Sequence, residues 1–144
     1  MDVEALSEAA ARGDLVTARG LLLEGTDPNE VNRHGRTAIQ VMKMSNAKMA
    51  QLLLDHSANP NVPDPVTGRF PAHDAARQGL LDTLIVLLKG KAHIHIPDKQ
   101  GHLPMDMAPN YIVTYLQSWG ILSESKKLVL QDTMEPMIRL NNFG

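Results

Sequence analysis

The chain has 144 residues, 43% of them apolar but only 3% aromatic, so its core must be assembled from Leu, Val, Ile, Ala and Met, which suits thin helical layers. A formal net charge of −2, from 14 basic and 16 acidic residues without a basic block, argues against nucleic acid or an anionic membrane as partner. The absence of cysteine removes disulfides, Cys-containing zinc sites and thiol chemistry together, as expected of an intracellular protein.

The chain opens on Met1-Asp2-Val3-Glu4, which lacks the basic and apolar regions of a signal peptide, and no later apolar stretch is long enough to span a bilayer. Residues 4 to 25 read as a helix pair, with Ala9-Ala10-Ala11 in the first helix, Gly13-Asp14 as the break and Val16 to Leu23 as the second helix. Gln40 to Met44 and Ala47 to Asp55 form a second pair. One residue is missing after Val41, so its first helix is expected to be stunted to about a turn. The third pair is the most regular: Thr67-Gly68 makes a turn, Pro71 opens a short helix of small residues ending at Gln78, Gly79 breaks it, and Leu80 to Leu88 forms a second helix. A fourth pair begins at Gly101-His102-Leu103-Pro104 but meets Pro109, and only Tyr111 to Gln117 remains for its second helix, about four residues being absent between the two.

These pairs repeat with a fixed period. Gly35, Gly68 and Gly101 each open a similar tetrapeptide and fall 33 residues apart twice, the spacing of ankyrin units. The unit ends agree: Asp27-Pro28-Asn29, Asn59-Pro60-Asn61 and His93-Ile94-His95 each follow a Leu-Leu pair. One such pair cannot bury its apolar face alone, so the units must stack. The expected fold is an all-α ankyrin-repeat solenoid over residues 1–118, with units at about 4–33, 34–66, 67–99 and 100–118, the last imperfect. For residues 119–144 two alternatives stand: an irregular cap, with Leu128-Val129-Leu130 and Met137-Ile138 packing, or a disordered tail. Ser57 and Lys91 occupy the place where a glycine usually supplies positive φ after a helix, which predicts local strain.

The residue with the most chemical promise is His73, followed directly by Asp74. Adjacent residues on a short helix do not face each other, so an acid–base pair is a poor reading. His73 shares its slot with Gln40 and Asp106 and reads as a buried residue bonding a neighbouring loop. Asp74 and Arg77, three apart, share a face, and Asp64 arrives from the preceding loop; together with Arg69 and Asp82 they make either a solvated ion-paired surface or a charged patch for a partner. His93, His95 and His102 stand at loop positions without clustered carboxylates, so no metal or cofactor is expected. Neither a phosphate-binding loop nor a nucleophile elbow is present, and an enzyme is not expected.

The segment Asn32-Arg33-His34-Gly35-Arg36-Thr37-Ala38-Ile39-Gln40-Val41-Met42, with its shortened helix, resembles the second ankyrin unit of the INK4 family of cyclin-dependent kinase inhibitors. The stretch from Asp64-Pro65 through Phe70-Pro71-Ala72-His73-Asp74-Ala75-Ala76-Arg77 to Leu84 resembles the third. The likeness runs from about Ala5 to Leu116 and is greatest to the four-repeat p15 and p16 members. It implies a monomer, present in cytoplasm and nucleus, that forms a heterodimer with cyclin-dependent kinase 4 or 6. Binding beside the ATP cleft, opposite the cyclin, would twist the kinase lobes, oppose cyclin D and hold back the G1 to S transition. It further implies that Asp64 and Asp74 meet basic kinase residues, that Arg77 joins the same interface, that Gln40, Met42 and Asp82 lie in or near it, and that His73 is a structural loop-bonding residue. Phe70 takes the place of a family arginine, beside Arg69, and both are counted with the contact surface. Val16 replaces a first-unit glutamate, Thr37-Ala38 an Arg-Pro pair, and Lys43 interrupts a run of methionines. An ankyrin adaptor, or a diverged copy serving another protein partner, is the alternative reading.

Overall fold

The structure, a computed structural model, describes residues 2–123. Eight helices follow one another in pairs: α1 (Val3–Arg12) with α2 (Leu15–Leu23), α3 (Ala38–Val41) with α4 (Ala47–Asp55), α5 (Pro71–Arg77) with α6 (Leu81–Lys89), and α7 (Pro104–Met107) with α8 (Asn110–Ser118). The second helices α2, α4 and α6 pack side by side as one layer, while α1 against α3 and α5 against α7 belong to the other. The expected all-α repeat solenoid is therefore observed. The sequence segments that suggested an irregular cap, Leu128-Val129-Leu130 and Met137-Ile138, lie outside the described residues.

Local chemistry explains where each helix starts. Asp14 and Asn46 stand at N-cap positions and accept hydrogen bonds from the amides of Thr17 and Met49 at 3.1 and 3.0 Å. The first helices of units two to four use another device. Gln40, His73 and Asp106, each in the third helical position, reach back to the amides of Thr37, Phe70 and Leu103 at 2.7, 3.0 and 2.8 Å. That shared slot was visible as an alignment of three unlike residues, and the structure shows why all three are polar.

Packing turns these pairs into a stack. Ala9, Ala10, Ala75 and Ala76 are fully buried, and their small side chains let neighbouring helices approach closely. Leu53, Leu84, Leu87 and Leu88 fill the space between layers without residual exposure, each contributing roughly 1.5–3 kcal/mol by leaving water. The stunted α3 spans four residues, as its missing residue requires, and Met42 after it turns inward, 4% exposed. At the far end, Ile121 and Leu122 are buried beyond α8, so the chain folds an apolar pair back over the imperfect fourth unit. Among the described residues no helix is long and apolar enough to cross a membrane.

The strained helix ends are present where they were expected. Ser57 and Lys91 have φ of 71° and 68°, the only non-glycine residues with positive φ among those described, whereas Gly25 takes the equivalent place in the first unit at 100°. A side chain there is disfavoured by roughly 1 kcal/mol. Ser57→Gly and Lys91→Gly should each raise stability by about that much, read as a higher urea midpoint with an unchanged slope.

Candidate functional site

Each loop between units is built on a carboxylate or amide at its first position. Asn32, Asp64 and Asp98 accept hydrogen bonds from amides two to four residues ahead: His34 and Arg36, Val66 and Thr67, Gln100 and His102. This closes the hairpin-like turns whose tips are Gly35, Gly68 and Gly101. The loops are then tied to each other. Gln40 donates from its amide to the Val62 carbonyl at 2.9 Å, and the fully buried His73 bonds the His102 carbonyl through Nε2 at 2.8 Å. Because His73 Nδ1 accepts from the Phe70 amide, the network places the proton on Nε2, so both ring nitrogens of His73 are engaged and no lone pair is free for catalysis.

Charge follows the same ladder. Arg36, in the loop leading into the second unit, reaches forward to Asp64 in the loop leading into the third at 2.7 Å, and Arg69 reaches forward to Asp98 in the loop leading into the fourth at 3.7 Å. The Arg36 guanidinium holds the Asp64 carboxyl well below the usual carboxylate range, against the opposing effect of partial burial and with help from the Thr67 and Val66 amides. The Asp98 carboxyl is lowered as well, chiefly by the His102 amide; its Oδ2 is buried without a hydrogen-bond partner, 4.0 Å from His102 Nδ1. Neither arginine was assigned this forward reach from sequence. The aligned column Arg36, Arg69 and His102 was the available signal.

The candidate residues divide into three groups. Gln40, Asp64, Arg69 and Asp74 line one small recess between the second and third units, together with Met44 and Pro71. Asp74 is partly exposed and pairs with Arg77 at 3.3 Å, one helical turn on. Asp82 lies apart from this recess, exposed in the first turn of α6 beside a shallow groove lined by Ser45, Gly79, Leu80 and Thr83, and has no ion-pair partner among the described residues. Met42 and Phe70 are buried at 4% and 6% exposure. Phe70 stacks on His73 with centroids 5.7 Å apart, so position 70 is a packing position, and neither Met42 nor Phe70 offers its side chain to a surface. Among the described residues no group of three or more His, Cys, Asp or Glu side chains is arranged to hold a metal. The arrangement is a charged surface whose acidic groups are held by neighbouring arginines and loop amides.

A family model described as ankyrin repeats in three copies matches residues 6–98. Cyclin-dependent kinase 4 inhibitor B of Rattus norvegicus is 55% identical over 103 residues, covering 72% of this chain and 79% of the relative. The Homo sapiens protein of the same name is 54% identical over 105 residues, covering 73% and 76%. Cyclin-dependent kinase inhibitor 2A of Monodelphis domestica is 49% identical over 118 residues, covering 79% and 69%. The chain belongs to the INK4 family of cyclin-dependent kinase inhibitors. The ankyrin-repeat match stops at residue 98, where the imperfect fourth unit begins, so this INK4 chain keeps the family's regular units where the charged recess lies.

The lowered Asp64 carboxyl generates a pH dependence. Its folded-state value lies below the ordinary unfolded value of about 4, so its stabilising contribution is complete above that value and is lost as pH falls toward the folded value. Asp64→Asn should be less stable than the parent at pH 7, and the difference between their urea midpoints should shrink steadily from pH 5 to pH 2. A constant difference would show that the charge of Asp64 contributes nothing.

Proposed function

We propose that this chain is a stoichiometric inhibitor of cyclin-dependent kinases 4 and 6, acting in cytoplasm and nucleus as a binding protein rather than an enzyme. It carries the activity on one ankyrin-repeat domain of residues 1–118. It binds the cyclin-free kinase beside the ATP cleft as a one-to-one heterodimer, opposes cyclin D binding and so restrains passage from G1 to S. The observation that carries this reading is the recess formed by Gln40, Asp64, Arg69 and Asp74. It lies within the repeats that match proteins named as inhibitors of cyclin-dependent kinase 4.

In this reading the acidic residues have separate duties. Asp64 is occupied by Arg36 and two loop amides and shapes the surface as much as it contacts a partner. Among the described residues Asp74 has only the partly exposed Arg77 to hold its side chain, so it can turn to a basic group on the kinase while Arg77 meets an acidic one. Asp82 extends the acidic surface toward the helix-pair turns. Val16, 80% exposed, leaves helix α2 itself without a carboxylate, and the third unit therefore carries the greater part of the charge complementarity.

Calorimetric titration of the chain into cyclin-free kinase 4 and kinase 6 tests the proposal, with Asp74→Ala beside it. One-to-one binding should weaken by roughly 2–5 kcal/mol in the variant if Asp74 becomes desolvated against a basic partner, with helicity unchanged. A folded parent chain that binds neither kinase would sink the proposal and turn the search to other protein ligands of the same face.

A further inference from the structure

Three turns link first and second helices in the regular units, at Gly13, Ser45 and Gly79, and each is braced by the following unit. Gly13 lies against the Asn46 side chain, where an added Cβ would stand 3.0 Å from Nδ2. The Met44 carbonyl, at the second turn, accepts the hydroxyl of the buried Thr83 at 2.7 Å. The third turn should be braced by the turn of the fourth unit, but that turn is missing: α7 ends at Met107 and α8 begins at Asn110. Tyr111 reaches into the gap instead. Its hydroxyl donates to the Gly79 carbonyl, and a Cβ at Gly79 would collide with the phenol oxygen.

The third turn depends on this brace more than the others do on theirs. The helices after the first two turns have side-chain N-caps in Asp14 and Asn46, whereas α6 is preceded by Leu80, which supplies no side-chain cap. Its backbone amides are therefore less well held at the start of the helix. Asp82 sits in that first turn, two residues beyond Leu80.

We infer that Tyr111 is a positioning residue for the partner-binding surface: its hydroxyl replaces the lost fourth turn, fixes the Gly79–Asp82 segment and thereby sets where Asp82 is presented. The binding part of this inference rests on the proposed kinase partner; the brace itself does not. Tyr111 therefore influences recognition although it reaches Asp82 only through the backbone of the preceding turn.

The test uses Tyr111→Phe in the full chain, which keeps the ring and removes only the hydroxyl. Hydrogen exchange should speed up about fivefold at residues 79–83, the scale of one net hydrogen bond, while α1 to α4 exchange as in the parent. Affinity for kinase 4 or 6 should fall by roughly three- to fivefold, on the same basis, and that fall should disappear when the substitution is made in an Asp82→Ala background. Unchanged exchange at residues 79–83 would overturn the brace. An equal loss of affinity with and without Asp82 would overturn its link to recognition. If the parent chain binds neither kinase, the functional reading fails, and the exchange comparison still decides whether Tyr111 holds the turn.

Discussion

Each helix pair in this chain is one unit of a stack, and its apolar side can leave water only against the next pair. Everything else in the molecule is arranged around that dependence. Polar bridges cross every junction: Asn29 to the Ser57 carbonyl, Gln40 to Val62, Asn61 to Lys91 and His73 to His102. Their partners are 22 to 30 residues apart, so the position of any loop is set by its neighbour as much as by its own sequence. A surface built in this way loses little freedom when a partner docks, which favours binding without a large ordering cost.

The same dependence divides the charged residues between structure and recognition. Arg36, Asp64, Arg69 and Asp98 face each other along the loops, and the carboxylates among them also close their own turns. Asp74, Arg77 and Asp82 stand on helices at the open side, with weaker internal commitments. Under the proposed function, substitution at Asp64 would therefore mix stability with binding, while substitution at Asp74 would read mainly binding. The geometry converts a row of similar acidic residues into groups with different duties, decided by how many internal donors each one meets.

Much of the architecture was legible because repetition converts spacing into position. Gly35, Gly68 and Gly101 marked the loop tips, and all three adopt the positive φ that glycine tolerates. Ser57 and Lys91 were recognisable as strained because a glycine usually stands at that helix end, and the polar slot of His73 because Gln40 and Asp106 share it. Other features were hidden for equally physical reasons. A helix of four residues has no readable face, so the burial of Met42 after α3 could not be seen, nor that of Phe70 before the first turn of α5. A period reveals that arginines recur but leaves open whether each bonds its own loop or the next, and the forward reach of Arg36 and Arg69 followed only from the coordinates. The loss of residues in the fourth unit was plain, yet its repair by the Tyr111 hydroxyl depends on a side chain crossing a gap that no periodicity describes.

In the proposed complex the second and third units present one charged face to the kinase, while the second helices stay free outside the first turn of α6. Hydrogen exchange of the chain with and without cyclin-free kinase 4 tests it most directly. Protection should appear at residues 40–44, 64–77 and 79–83 and be absent from the solvent-facing residues of α2 and α4. Protection centred on α2 and α4, with the third-unit segments unchanged, would contradict it.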